Sequence, residues 1–249
     1  MTLGQWNAVG FIGERRAVAL GAIGFFGSLF LLVTLSARSE LPEWVAAFGA
    51  LTAIYWVAFA AVAAEWFWGR WFAIGIGYSG VSTVLMSIIA VRALPMPLII
   101  FGASHGLMAL ALMGEKMAAR FDAQPGWRQR WNINEEGVIR LRKTVIRAAS
   151  SLPALVVFAL APRQAEGLVF DAIAAGVLAT AATAMFGLLR GRSWSIPLLL
   201  VSGVASGLHA ITLPALDLAF DAGLVGAALL ISAVLPFVRP VVAFLQAKK

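Results

Sequence analysis

The residues with the widest chemical repertoire near neutral pH are two histidines, His105 and His209, and both sit inside long apolar runs. An imidazole carries a donor and an acceptor, so each one in hydrocarbon predicts a partner, most simply a neighbouring carbonyl or hydroxyl. His105 belongs to Gly102-Ala103-Ser104-His105-Gly106, which spells G-x-S-x-G. That pattern serves hydrolases at a strand-to-helix elbow; here it falls within an apolar run of helix length, which excludes the soluble hydrolase reading. Gly75-x-Gly77-x-x-Gly80 likewise lacks the preceding strand of a dinucleotide site. There is no P-loop, no H-E-x-x-H and no carboxylate pair within an apolar run, and the absence of cysteine removes disulfides, thiolate metal sites and redox thiols. No cofactor is implied.

Hydroxyl residues form two stripes. Ser79, Ser82, Thr83 and Ser87 recur at three- and four-residue spacing with Gly75 and Met86; Ser195, Ser202, Ser206 and His209 fall within a narrower arc, flanked by Gly203 and Gly207. Small and hydroxyl residues let membrane helices approach and bond across the contact, and packing is the favoured reading. The functional alternative is a polar crevice for a small solute, lined by Ser79, Ser82, Thr83, Ser87, His105, Ser202, Ser206 and His209. A carrier usually adds charge near the midplane, and none is evident.

The stripes sit in an internal echo: Gly69-Arg70-Trp71 with Ser79-Gly80-Val81 recurs, one residue inserted, as Gly191-Arg192-Ser193-Trp194 with Ser202-Gly203-Val204. The echo predicts two four-helix halves in parallel orientation. It makes Met86 the counterpart of His209, so His/Met ligation of a haem is conceivable, whereas His105 and His209 lie at different depths. Gly102 to Leu110 also resembles the serine-bearing helix of rhomboid intramembrane proteases, which implies a Ser104 and His209 dyad. The chain departs from that family in placing His105 directly after the serine and in having no glycine pair after His209.

These residues must be positioned by membrane helices. With 61% hydrophobic and 12% charged residues, the chain cannot cover a soluble core with polar surface. The expected fold is an all-α polytopic bundle with eight spans: Ala17 to Ser36, Pro42 to Ala64, Trp71 to Val91, Pro97 to Met113, Val145 to Ala161, Leu168 to Leu189, Trp194 to Leu213 and Leu216 to Leu235. Most reach the twenty or so residues that ~30 Å of hydrocarbon requires. The fifth is short, contains Pro153 and could dip rather than cross. No cleavable signal is visible, so the first span reads as a retained anchor.

Charge sets the orientation. Eight spans with an internal N-terminus put sixteen Lys and Arg inside and leave Arg38, Arg92 and Arg163 outside. Glu40, Glu43, Glu166, Asp171, Asp217 and Asp221 then fall outside, where Asp217 and Asp221 share a helix face at a solvated boundary. The organisation is a first half (1–114), a basic cytoplasmic loop (115–147) and a second half (148–249) with a basic tail after Pro236. In the loop, Val138, Leu141, Val145 and Ala149 oppose Arg140, Lys143 and Arg147, which predicts an amphipathic helix that lies along the inner headgroups and runs into the fifth span. Each basic residue would contribute about 1 kcal/mol with anionic lipid. Arg128, Arg130, Arg140, Lys143 and Arg147 are the candidate residues for lipid or partner docking, and nucleic acid is excluded as a partner because the charge flanks apolar spans.

The expectation is therefore a non-catalytic subunit or scaffold of a membrane assembly in a bacterial cytoplasmic membrane, both termini inside, with other membrane subunits or a second copy as partners. A carrier or channel is the alternative, and an intramembrane enzyme or haem protein stands third.

Overall fold

A computed structural model describes residues 11–91, 95–131, 133–162, 168–213 and 218–246. Arg92, Arg163, Glu166, Asp217, Lys248 and Lys249 lie outside the described residues. The described residues are helical: α1 (Ile12–Glu40), α2 (Val45–Ala63), α3 (Gly69–Val91), α4 (Met96–Leu112), α5 (Glu115–Asp122), α6 (Pro125–Trp131), α7 (Glu135–Leu160), α8 (Leu168–Leu189), α9 (Ser195–Ala210) and α10 (Leu218–Gln246). Helices are the only open-ended elements that satisfy their own backbone in hydrocarbon.

Local signals place the boundaries. A short 3₁₀ turn, Pro42–Trp44, leads into α2, and Pro95 in extended conformation caps α4 with a second proline in its first turn. Gly114 adopts φ 105°, a conformation disfavoured for residues with a Cβ. There the chain bends by 72° from α4 into α5. Asn134 caps α7, its Oδ1 accepting from the Gly137 amide at 2.8 Å, and Glu135 and Glu136 complement the positive helix end.

The chain divides into two compact units at Arg130 and Trp131. In the first, the four long helices pack cyclically: α1 on α2, α2 on α3, α3 on α4, and α4 back on α1. The second repeats that order with α7, α8, α9 and α10. Their α2–α3 and α8–α9 turns also share one hydrogen-bond pattern. The amides of Glu65 and Trp66 donate to Val62 and Ala61, those of Gly191 and Arg192 to Leu188 and Gly187, and Gly69 and Ser195 then donate to Trp66 and Arg192. In both turns the second residue is left-handed, Glu65 at φ 54° and Gly191 at φ 69°.

Among the described residues six helices are long and apolar enough to cross a membrane, or seven if α4 and its bent continuation α5 form one span. Helix α9, with 16 residues, is shorter. The eight expected spans thus correspond to eight apolar helices, of which six or seven pass on length. The stretch around Arg140, Lys143 and Arg147 is the first half of α7 and runs on into the fifth span, and 61% of that span's apolar window is buried against 28% for α1. One expectation about boundaries is corrected: the segment after Pro236 is no separate tail, because α10 continues through Pro236 and Pro240.

Candidate functional site

In the first unit the four helices meet at His105. Its Nδ1 lies 2.8 Å from the Phe101 carbonyl, and its Nε2 lies 2.5 Å from the Tyr55 hydroxyl. A carbonyl only accepts, so Nδ1 carries the proton; in the neutral ring Nε2 accepts from Tyr55. Phe26 and Phe101 pack against the ring at a tilt, with centroids at 4.3 and 4.1 Å. Gly80 of α3 admits the imidazole, because a Cβ there would stand 2.2 Å from His105 Cγ. Both nitrogens of this buried ring are engaged, so His105 is a packing contact among α1, α2, α3 and α4. Ser104 is half-buried on α4, and its G-x-S-x-G motif is helical throughout.

A second polar cluster closes the C-terminal end of α4, where the last carbonyls of a helix lack partners. Arg15 of α1, 7% exposed, donates from Nε to Ala111 O at 3.1 Å and from Nη2 to Leu110 O and Met113 O. Arg70 of α3 donates to Leu112 O at 3.3 Å and forms a buried ion pair with Asp122 of α5. Two guanidinium groups thus cap one helix end, where positive charge is favoured. Nearby, the Glu65 carboxylate pairs with Arg16 and Arg120.

In the second unit α7 binds α10 where prolines interrupt its ladder. Pro236 has no N–H for Ser232 O, and Arg147 Nη1 donates to that carbonyl at 2.7 Å. Thr144 Oγ1 donates to Ala233 O at 2.7 Å. On α9, Ser206 Oγ donates to Gly223 O of α10 at 3.0 Å, and a Cβ on Gly203 would stand 3.0 Å from Ile231.

Four other stripe hydroxyls bond within their own helices, Ser202 to Leu198 O, Ser82 and Thr83 to Ser79 O, and Ser87 to Thr83 O, while Ser195 donates back to Arg192 O in the preceding turn. Ser79 and Ser202 are buried, while Thr83 and Met86 are exposed. His209 is 7% exposed and lies between Phe158 and Phe170, ring centroids at 5.6 and 5.0 Å. The turns revise the register of the internal echo. Pairing Glu65 with Gly191 sets Thr83, not Met86, against His209, roughly one helical turn from the register read in sequence. Equal depth of Met86 and His209 therefore no longer follows.

Of the basic docking residues, Arg130 and Lys143 are exposed. Arg140 pairs with Glu136, and Arg147 is committed to Ser232. The side chain of Arg128 lies outside the description. Sequence reasoning missed Tyr55, Arg15, Arg70 and Asp122, reading the arginines only as boundary charge. One signal pointed to Asp122: Met117 and Phe121, four apart and fully buried, mark α5 as docked along one face.

Among the described residues no three His, Asp or Glu side chains could hold a metal ion together. Fold and polar clusters define an all-α, multi-pass membrane protein without an obvious catalytic or metal centre. No family profile, curated protein or solved structure matches the chain.

Proposed function

We propose that the protein is a non-catalytic subunit or scaffold of a membrane assembly, crossing a bacterial cytoplasmic membrane eight times with both termini inside. The observation that supports it is where the buried polar side chains go. Arg15, Arg70, Asp122, His105, Thr144 and Ser206, joined by the half-buried Arg147, bond between helices, to main-chain carbonyls or to one another, so this interior chemistry is spent on shape. A carrier would keep some of these groups for a solute. Exposed Arg130 and Lys143 are free to meet anionic headgroups at the inner face.

Extraction in a mild detergent tests the reading. A subunit migrates with other membrane polypeptides, well above the size expected for a chain of 26.4 kDa with its micelle. A monodisperse lone monomer under those conditions overturns it.

A further inference from the structure

The two units carry the same backbone turn, and only one of these turns is covered. In the first unit α5 and α6 fold over it. Gln124 Nε2 donates to the Glu65 carbonyl at 2.8 Å, Arg120 pairs with the Glu65 carboxylate at 2.8 Å, and Trp127 stacks on Phe67 at 4.3 Å. Hydrogen bonds, charge and an aromatic lid act together there.

The α8–α9 turn has the same hydrogen bonds but stands open: residues 190–194 are all exposed. Trp194 rests its ring on Gly187, where a Cβ would stand 2.5 Å away, yet stays 46% exposed. The Arg190 guanidinium lies 4.3 Å over the Phe186 ring. Among the described residues neither Arg190 nor Arg192 meets a carboxylate. The turn's charge is also reversed, since Glu65 faces a basic cover whereas Arg190 and Arg192 flank Gly191.

We propose that the α8–α9 turn is the docking surface for an acidic amphipathic helix of a partner subunit, seated as α5 and α6 are seated on the α2–α3 turn. The proposal rests on the subunit reading above and names its contact. The covered turn supplies the template for a helix with an aromatic contact, and charge complementarity fixes its sign. Trp194 and the two arginines are the residue types that dominate such contacts.

The test uses the full chain in nanodiscs of phosphatidylcholine alone and a labelled peptide of residues 115–131 in which Arg120, Arg128 and Arg130 are replaced by Glu. The charge-reversed peptide is expected to bind, and the unaltered basic peptide to bind about tenfold more weakly or worse. The double variant Arg190→Glu/Arg192→Glu should lose about tenfold in affinity without a change in thermal stability, and Arg190→Lys/Arg192→Lys should retain binding. Equal binding of the two peptides, or no effect of the double Glu variant, overturns the proposal. So does retention of phosphatidylglycerol in native mass spectrometry that depends on the same arginines and blocks the peptide, because the occupant is then a lipid. If co-migrating subunits persist while the peptide fails, the surface is wrong and the subunit reading stands; a lone monomer removes that reading by itself.

Discussion

Gly80 shows how little space the His105 contact leaves. Gly80→Ala forces a methyl group into the imidazole and should destabilise the protein by ~1–3 kcal/mol, read as a lower melting temperature in detergent. Gly21→Ala, with nothing within 4 Å of the new Cβ, is the matched control and should leave the melting temperature unchanged or raised. Arg70 and Asp122 make a sharper case. Their side chains are 5% and 7% exposed, so Asp122→Asn strands a buried cation and should cost ~3–5 kcal/mol. Arg70→Met/Asp122→Leu should cost less than Asp122→Asn alone; a double variant worse than that single change would refute the buried-pair argument. At this scale the sequence was partly legible. The need of His105 for a carbonyl or hydroxyl follows from imidazole chemistry, whereas Tyr55 as the hydroxyl depends on how α2 packs against α4, which no local spacing encodes.

Among the elements, α7 and α10 diverge most from their sequence reading. A basic amphipathic stretch followed by an apolar one suggested a surface helix feeding a short span. The two halves do form one 26-residue helix, but the face of Val138, Leu141, Val145 and Ala149 is buried within the unit. In sequence Pro236 reads as the end of the last span, since a proline removes one backbone bond. Helix α10 passes through it because Arg147, remote in sequence, supplies the missing donor. Arg147→Met should therefore destabilise by ~1–3 kcal/mol in the native chain. In a Pro236→Ala background, where the new amide can serve Ser232, most of that cost should vanish; an undiminished penalty would show that Arg147 acts otherwise. Hydrophobic runs and charge bias made the helices readable, but a side chain that repairs a distant carbonyl leaves no periodic trace.

For the whole molecule, fold class and the membrane environment were legible from composition, while span number depends on the bent α4–α5 pair and on α9. Sixteen residues give roughly 24 Å of helix, less than the hydrocarbon thickness. The chain has no cysteine, so single cysteines can be labelled from either side of sealed vesicles. Eight crossings predict that Arg130→Cys, Arg192→Cys and Gln246→Cys react from one face and Glu40→Cys, Pro162→Cys and Leu213→Cys from the other. Reaction of the Leu213 and Arg192 positions from the same face would show that α9 does not cross. The likeness of the two units' turns has a trace in sequence, the Gly-Arg-Trp echo, but its register is not legible there, because small residues recur every helical turn and fit two alignments equally well. Backbone bonds in the turns separate those alignments.

Each unit closes by joining its first helix to its fourth, and the fastening arginine comes first in the chain. Arg15 waits for Met113, 98 residues later, and Arg147 for Ser232, 85 residues later. During synthesis at the ribosome each guanidinium must therefore remain solvated at the headgroups until its carbonyls are delivered. Closure of the ring becomes a late checkpoint in biogenesis, and a nascent chain halted before α4 or α10 would present an unfastened cation at the bilayer edge.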